Sequence, residues 1–173
     1  DERRYSWMDE GMTEFTEQLA KEDRYPGTNF IRGEQDAYAR FALTGGEGPI
    51  MRWSDFHYSS GAYTIASYYK PASALAALSA VLGEATFDRA YRAFLGTWKY
   101  KHPYPWDFFN GMERVSGREL DWFWRAWYAE TWMLDQAVES VAAEDDGETR
   151  IVVANVGRTP MPVLLAITRE GGE

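Results

Sequence analysis

Trp7-Met8-Asp9-Glu10-Gly11-Met12-Thr13-Glu14-Phe15, continued by Leu19, sets apolar side chains at helical spacing with acidic residues between them, and Pro26-Gly27 ends the pattern. The stretch predicts one amphipathic helix over residues 7–22 with Asp9 and Glu10 at its head, their direction fixed by the apolar face. Carboxylates in a first helical turn complement the helix dipole. On residue type alone, that structural role and a chemical one both stand open.

Outward from this helix, Ala37, Tyr38, Phe41 and Ala42 give a weaker helical pattern over 33–43, ended by Gly45-Gly46 and Gly48-Pro49. Residues 50–63, rich in Ser, Gly and aromatic side chains, read as an irregular connection lying against the core. From Tyr68 the pattern turns strongly helical, with Pro71 suited to a first turn and Leu75, Leu78 and Leu82 forming a stripe that stops at Gly83. A further helix is expected over 84–100, another from Pro105 to the break at Ser116-Gly117, and a last one opened by a capping box, Ser116-Gly117-Arg118-Glu119. Trp122, Trp124, Trp127 and Trp132 belong to a broad aromatic stretch whose spacing reads as packing. Beyond it, segments 136–143, 148–156 and 161–169 are separated by turn residues and predict a three-stranded meander. Three strands make a poorly covered sheet, so they read as the start of a β-sandwich.

Composition narrows the function classes. The 173 residues are 45% hydrophobic and hold 8 Trp, 11 Tyr and 9 Phe, enough for one sizeable core. A formal net charge of −9 with no Lys/Arg cluster argues against a nucleic-acid partner. No apolar run approaches the roughly 18 residues that cross a bilayer. The absence of Cys excludes disulfides, thiolate nucleophiles and Cys-ligated zinc, and leaves the compartment open. Any metal site would use His and carboxylate. The two histidines, His57 and His102, lie far apart and read as structural, because neither has a second His or a carboxylate at helical ligand spacing. No Gly-x-Ser-x-Gly elbow is present around Ser59-Ser60-Gly61, and Gly45-Gly46-Glu47-Gly48 leads into Pro49 and forms no phosphate-binding loop.

Trp7-Met8-Asp9-Glu10-Gly11 resembles the third-ligand segment of M1 (gluzincin) zinc aminopeptidases, a Trp-x-(Asn/Asp)-Glu-Gly stretch. Tyr68-Tyr69-Lys70-Pro71-Ala72 resembles that family's Tyr-x-Lys-Gly-Ala segment, with Pro71 in place of the usual Gly. Weaker likenesses run through Tyr100-Lys101-His102-Pro103, Trp106-Asp107-Phe108-Phe109 and Asp121-Trp122-Phe123-Trp124 to Asn155-Val156-Gly157. The resemblance implies that Glu10 is the third zinc ligand, a hard oxygen beside two imidazoles. It implies that Tyr68, with Tyr69 as the one-residue competitor, hydrogen-bonds the oxyanion that develops as water attacks the peptide carbonyl. The HExxH motif, which supplies the two His ligands and the general base in that family, does not occur here and is expected before Asp1.

The resulting expectation is a mainly α fold of about six helices: residues 1–132 as the helical C-terminal lobe of a thermolysin-like metallopeptidase domain, and 133–173 as a short antiparallel β segment that starts a β-sandwich. The function implied by the resemblance is zinc-dependent removal of N-terminal residues from a peptide substrate. The chain's partner would be the remainder of the catalytic domain, which carries the histidines, and the chain alone would be inactive. A non-catalytic helical scaffold or protein-binding module derived from the same fold is the alternative. A piece of a nicked enzyme is a third.

Overall fold

The computed structural model describes residues 3–144 and 147–166. A 3-10 turn, Ser6–Met8, leads into α1 (Glu10–Arg24), which buries Met12 and Phe15. The apolar stripe fails at its last member. Leu19 is 45% exposed, while Gln18 is buried at 2% and donates from Nε2 to Glu14 Oε1 (2.6 Å) and Glu34 Oε1 (2.8 Å). A satisfied amide that ties α1 to α2 (Ile31–Ala42) takes the interior position.

The connection that follows holds a 3-10 turn, Ser54–Phe56, and lies against the core as expected. Ile50 is buried, and the Met51 amide donates to the Tyr128 carbonyl at 2.9 Å. It ends earlier than the sequence suggests. Ser59 Oγ caps α3 (Ser60–Thr64) by accepting from the Ala62 amide at 3.1 Å, and α3 runs through a π turn, Ile65–Tyr69, into α4 (Lys70–Leu82). The inserted π residue breaks the 3.6 period, so the periodicity becomes readable only after the turn.

Gly83, with φ of +79°, separates α4 from α5 (Glu84–Trp98). The latter stops before Tyr100, which takes a left-handed φ of 63°. Next comes α6 (Pro105–Ser116), with the Tyr104 amide donating to Asp107 Oδ2 at 2.7 Å. The capping box expected at Ser116–Glu119 does not form, because Gly117 is the left-handed end of α6 (φ +69°) and Glu119 is exposed. Glu113, one turn back on α6, opens α7 (Asp121–Trp124) instead. Its Oε1 accepts from the Leu120 amide (2.8 Å) and from Trp124 Nε1 (3.2 Å). A second π turn, Arg125–Ala129, completes the helical region.

These helices close on an aromatic core. Trp7, fully buried, meets Phe108 at 5.9 Å, Phe109 at 6.0 Å and Tyr128 at 4.8 Å between ring centroids. Trp124 and Trp127 are members of this core, with Trp122 and Trp132 packed against it. Two antiparallel strands follow, β1 (Gln136–Ala143) and β2 (Thr149–Asn155), in register from Gln136 opposite Asn155 to Ala143 opposite Thr149, with a bulge between Val138 and Ser140. The third expected strand is not formed at 161–166, and residues 167–169 lie outside the described residues. Instead Thr159 is buried and donates to the Trp132 carbonyl (3.0 Å), and Met161 O accepts from Gln136 Nε2 (2.7 Å), which holds this tail against the segment 132–136. The fold is mainly α with a short two-stranded antiparallel sheet at its C-terminal end. No helix among the described residues is long and apolar enough to cross a membrane.

Candidate active site

Glu10 is the first residue of α1, and Tyr68 sits in the first π turn. The structure places them near each other: α1 packs on the π turn, and the Glu10 carboxylate acts on the Tyr68 phenol. Its hydrogen-bonding pull on the phenolic proton is the main cause that pushes the Tyr68 phenol up to about 12, with burial next and then the charge of Glu10. The phenol therefore keeps its proton at neutral pH and remains a donor. Tyr69 contributes its carbonyl to Ser73 Oγ (2.7 Å).

Two contacts hold the two segments in register. Ser6 and Ser67, both buried, share a hydroxyl–hydroxyl hydrogen bond of 2.6 Å, which joins the turn before α1 to the π turn. Gly11 faces the first turn of α4 so closely that a Cβ there would stand 2.5 Å from Pro71 Cγ and 3.0 Å from the Ser67 carbonyl oxygen. The proline at the position where the resembling family has Gly therefore fills the space that Gly11 leaves, and its ring is suited to an early helical position. Lys70, next after the π turn, is tied elsewhere, with its side chain 1% exposed. Nζ lies 3.3 Å from Glu47 Oε2 (Glu47 is 5% exposed) and 3.2 Å from the Glu130 carbonyl oxygen, with the Tyr38 ring centroid at 5.5 Å. Burial pushes the Lys70 ammonium below its ordinary range, against the opposing pull of Glu47. Sequence reading passed over this ion pair. A lysine inside an otherwise apolar run was a signal; Glu47, in a glycine-rich connection, gave none.

His57 packs edge-on against Tyr63 (5.6 Å), which in turn meets Tyr68 (6.4 Å), so an aromatic row leads from the 43–59 connection to the site. Burial, and secondarily the Arg52 charge, hold the His57 ring below its usual value, with the nearby Arg52 backbone carbonyl opposing them. His102 is exposed, on the segment after α5. Among the described residues no group of three or more His, Cys, Asp or Glu is arranged to hold a metal ion. An apolar cavity of about 510 Å³, lined by Ala39, Ala76, Ala80, Trp127, Trp132 and Met133 among others, includes neither Glu10 nor Tyr68.

Comparison with curated proteins finds no match. The Peptidase family M1 domain, in contrast, matches residues 4–127, a span that takes in Glu10, Tyr68, Lys70 and every helix of the fold, and by that match the chain belongs to peptidase family M1.

Proposed function

We propose that this chain is the helical part of a zinc-dependent aminopeptidase in which Glu10 is a metal ligand and Tyr68 stabilises the oxyanion of the substrate. The observation that carries this reading is the proximity of the Tyr68 phenol and the Glu10 carboxylate, two residues 58 positions apart whose segments are joined by the Ser6–Ser67 bond and the fit of Gly11 on Pro71. Family membership supports a peptidase parent. The donor set fits part of a zinc centre. A partly exposed carboxylate at a helix head offers one hard oxygen, and the two imidazole ligands are assigned to the remainder of the catalytic domain, outside this chain. Zinc, when bound, supplies a Lewis acid that polarises a carbonyl and eases the deprotonation of water.

The chain's own residues do the rest. Glu10 presents its oxygen from the rigid first turn of α1, held there by the close fit of Gly11 on Pro71. Tyr68 offers an O–H donor within reach of the same carboxylate, hence within reach of a peptide carbonyl seated beside it, where negative charge develops during attack. On this reading residues 1–132 are the helical lobe of the catalytic domain, and the segment from 133 begins a β-sandwich.

An aminoacyl-anilide assay on the full-length protein tests it. Tyr68→Phe is expected to lower kcat about 100- to 1,000-fold, the cost of removing one oxyanion donor. Glu10→Gln is expected to weaken zinc binding in calorimetric titration, and the 173-residue chain alone to bind zinc weakly and turn over nothing. Full turnover by Tyr68→Phe, or tight stoichiometric zinc binding by the isolated chain, contradicts the proposal. A full-length protein that binds no zinc and cleaves no anilide is a helical scaffold.

A further inference from the structure

The two π turns, the only ones among the described residues, are each closed by a five-residue hydrogen bond: the Lys70 amide donates to the Ile65 carbonyl, and the Glu130 amide to the Arg125 carbonyl at 3.1 Å. The residues that close them are joined to each other, since Lys70 Nζ donates to the Glu130 carbonyl oxygen at 3.2 Å. A π turn is an α-helix carrying one extra residue, a distortion that persists only where surrounding contacts favour it over the regular helix. The first π turn carries Tyr68 two residues before Lys70; from it Ser67 bonds Ser6 in the turn before α1, and Tyr68 comes near Glu10 at the head of α1. A buried ammonium is an expensive way to fill a helix interior. Here its fixed partners are a carboxylate from a distant connection, the carbonyl that ends the second π turn and the face of Tyr38.

We propose that Lys70 is a positioning residue for Tyr68: its bonds to Glu47 and to the Glu130 carbonyl lock the first π turn in the register that aims the phenol at Glu10. The inference rests on the assignment of Tyr68 as the oxyanion donor. Without the tie, the turn relaxes toward a regular helix, and Tyr68 rotates off its line. Lys70 itself touches neither substrate nor metal, so its loss is expected in the chemical step and not in substrate binding.

Two readouts on the full-length protein test this. In the anilide assay, Lys70→Met is expected to lower kcat about 10- to 100-fold with KM within about twofold, and to lower it no further in a Tyr68→Phe background. In the zinc-free protein, hydrogen–deuterium exchange at 65–70 and 125–130 is expected to rise about tenfold in Lys70→Met. It is expected to stay put in Leu75→Ala, a core truncation on α4 that destabilises by packing alone. If Lys70→Met yields no folded protein, Glu47→Gln takes its place, with the same pattern at smaller amplitude. Unchanged kcat and exchange, or a loss that multiplies with that of Tyr68→Phe, overturns the positioning role while leaving the proposed function intact. Full turnover in Tyr68→Phe overturns both.

Discussion

The first π turn, Ile65–Tyr69, and the second, Arg125–Ala129, share a backbone distortion and present opposite surfaces. From the first, Ser67 bonds Ser6 and Tyr68 reaches the Glu10 carboxylate, so the turn is held by polar contacts and offers a hydroxyl outward. From the second, Tyr128 goes wholly inward, against Trp7 (4.8 Å), Phe109 (5.2 Å) and Trp124 (5.6 Å), and its hydroxyl has no hydrogen-bond partner. Aromatic packing thus fixes the Tyr128 side chain, while the backbone of the turn is tied by the Met51 amide on the Tyr128 carbonyl and by Lys70 Nζ on the Glu130 carbonyl. Polar ties are needed where the turn must also aim a group at something, because packing against a half-open surface supplies too few neighbours to fix one rotamer. Lys70 is where the two solutions meet.

The largest stability effect is expected at that junction. Lys70→Met removes one partner of a buried pair and leaves the Glu47 carboxylate stranded, at a cost of about 3–5 kcal/mol by urea denaturation. The double replacement Lys70→Met with Glu47→Met removes both charges and is expected to recover most of that loss. A single variant as stable as the wild type would mean that the polar turn is held by Ser6–Ser67 and the α1 contact alone. Gly11→Ala comes next. Its Cβ would collide with the Pro71 ring and push α1 from the π turn, costing about 1–3 kcal/mol, and pairing it with Pro71→Gly should relieve the clash. An additive double variant would remove that contact from the account.

Much of this contrast was legible before any coordinates. Glu10 and Tyr68 sit in stretches whose resemblance to M1 peptidases marks them, and the helices that carry them have clear apolar stripes or terminators. The turns themselves were not legible, because a period of 3.6 has no place for an extra residue: the helix that begins at Ser60 was readable only from Tyr68. Partners distant in sequence were equally hidden. Nothing local to Glu47 points to Lys70, and nothing local to Glu113 announces that it, and not Ser116, will cap α7. The third strand was expected from the turn residues that set off 161–169, whereas 161–166 form no strand and the Met161 carbonyl accepts from Gln136 Nε2 at the start of β1.

The second turn yields a smaller effect of opposite character. Tyr128→Phe deletes a fully buried hydroxyl that bonds to nothing while keeping the ring, so stability should be unchanged or rise by no more than about 1 kcal/mol. Tyr68→Phe, by contrast, leaves a partly exposed ring in place and should hardly alter the thermal midpoint, although it is expected to cripple turnover. A marked loss of stability in Tyr128→Phe would reveal a buried water or partner at its hydroxyl, and the apolar description of the Tyr128 side chain would fail.

The smallest expected effect lies on the open side of the first turn, in the row His57, Tyr63, Tyr68. Burial and the neighbouring Arg52 hold the folded His57 ring below the 6.5 of a free histidine. As pH falls through 6.5 the unfolded chain therefore takes up a proton that the folded chain still refuses, and excess protons on the unfolded state draw the equilibrium toward it. The His57 contribution to stability is complete above 6.5 and is lost on acidification through the lower folded value. His57→Gln should accordingly shrink the drop in thermal midpoint between about pH 7.5 and about pH 5.5. The ring is only half-buried, so solvent screening keeps the change small. An undiminished drop would assign the acid sensitivity to other groups, and a larger one would mean that the folded ring is charged and paired, placing a cation beside the turn that aims Tyr68.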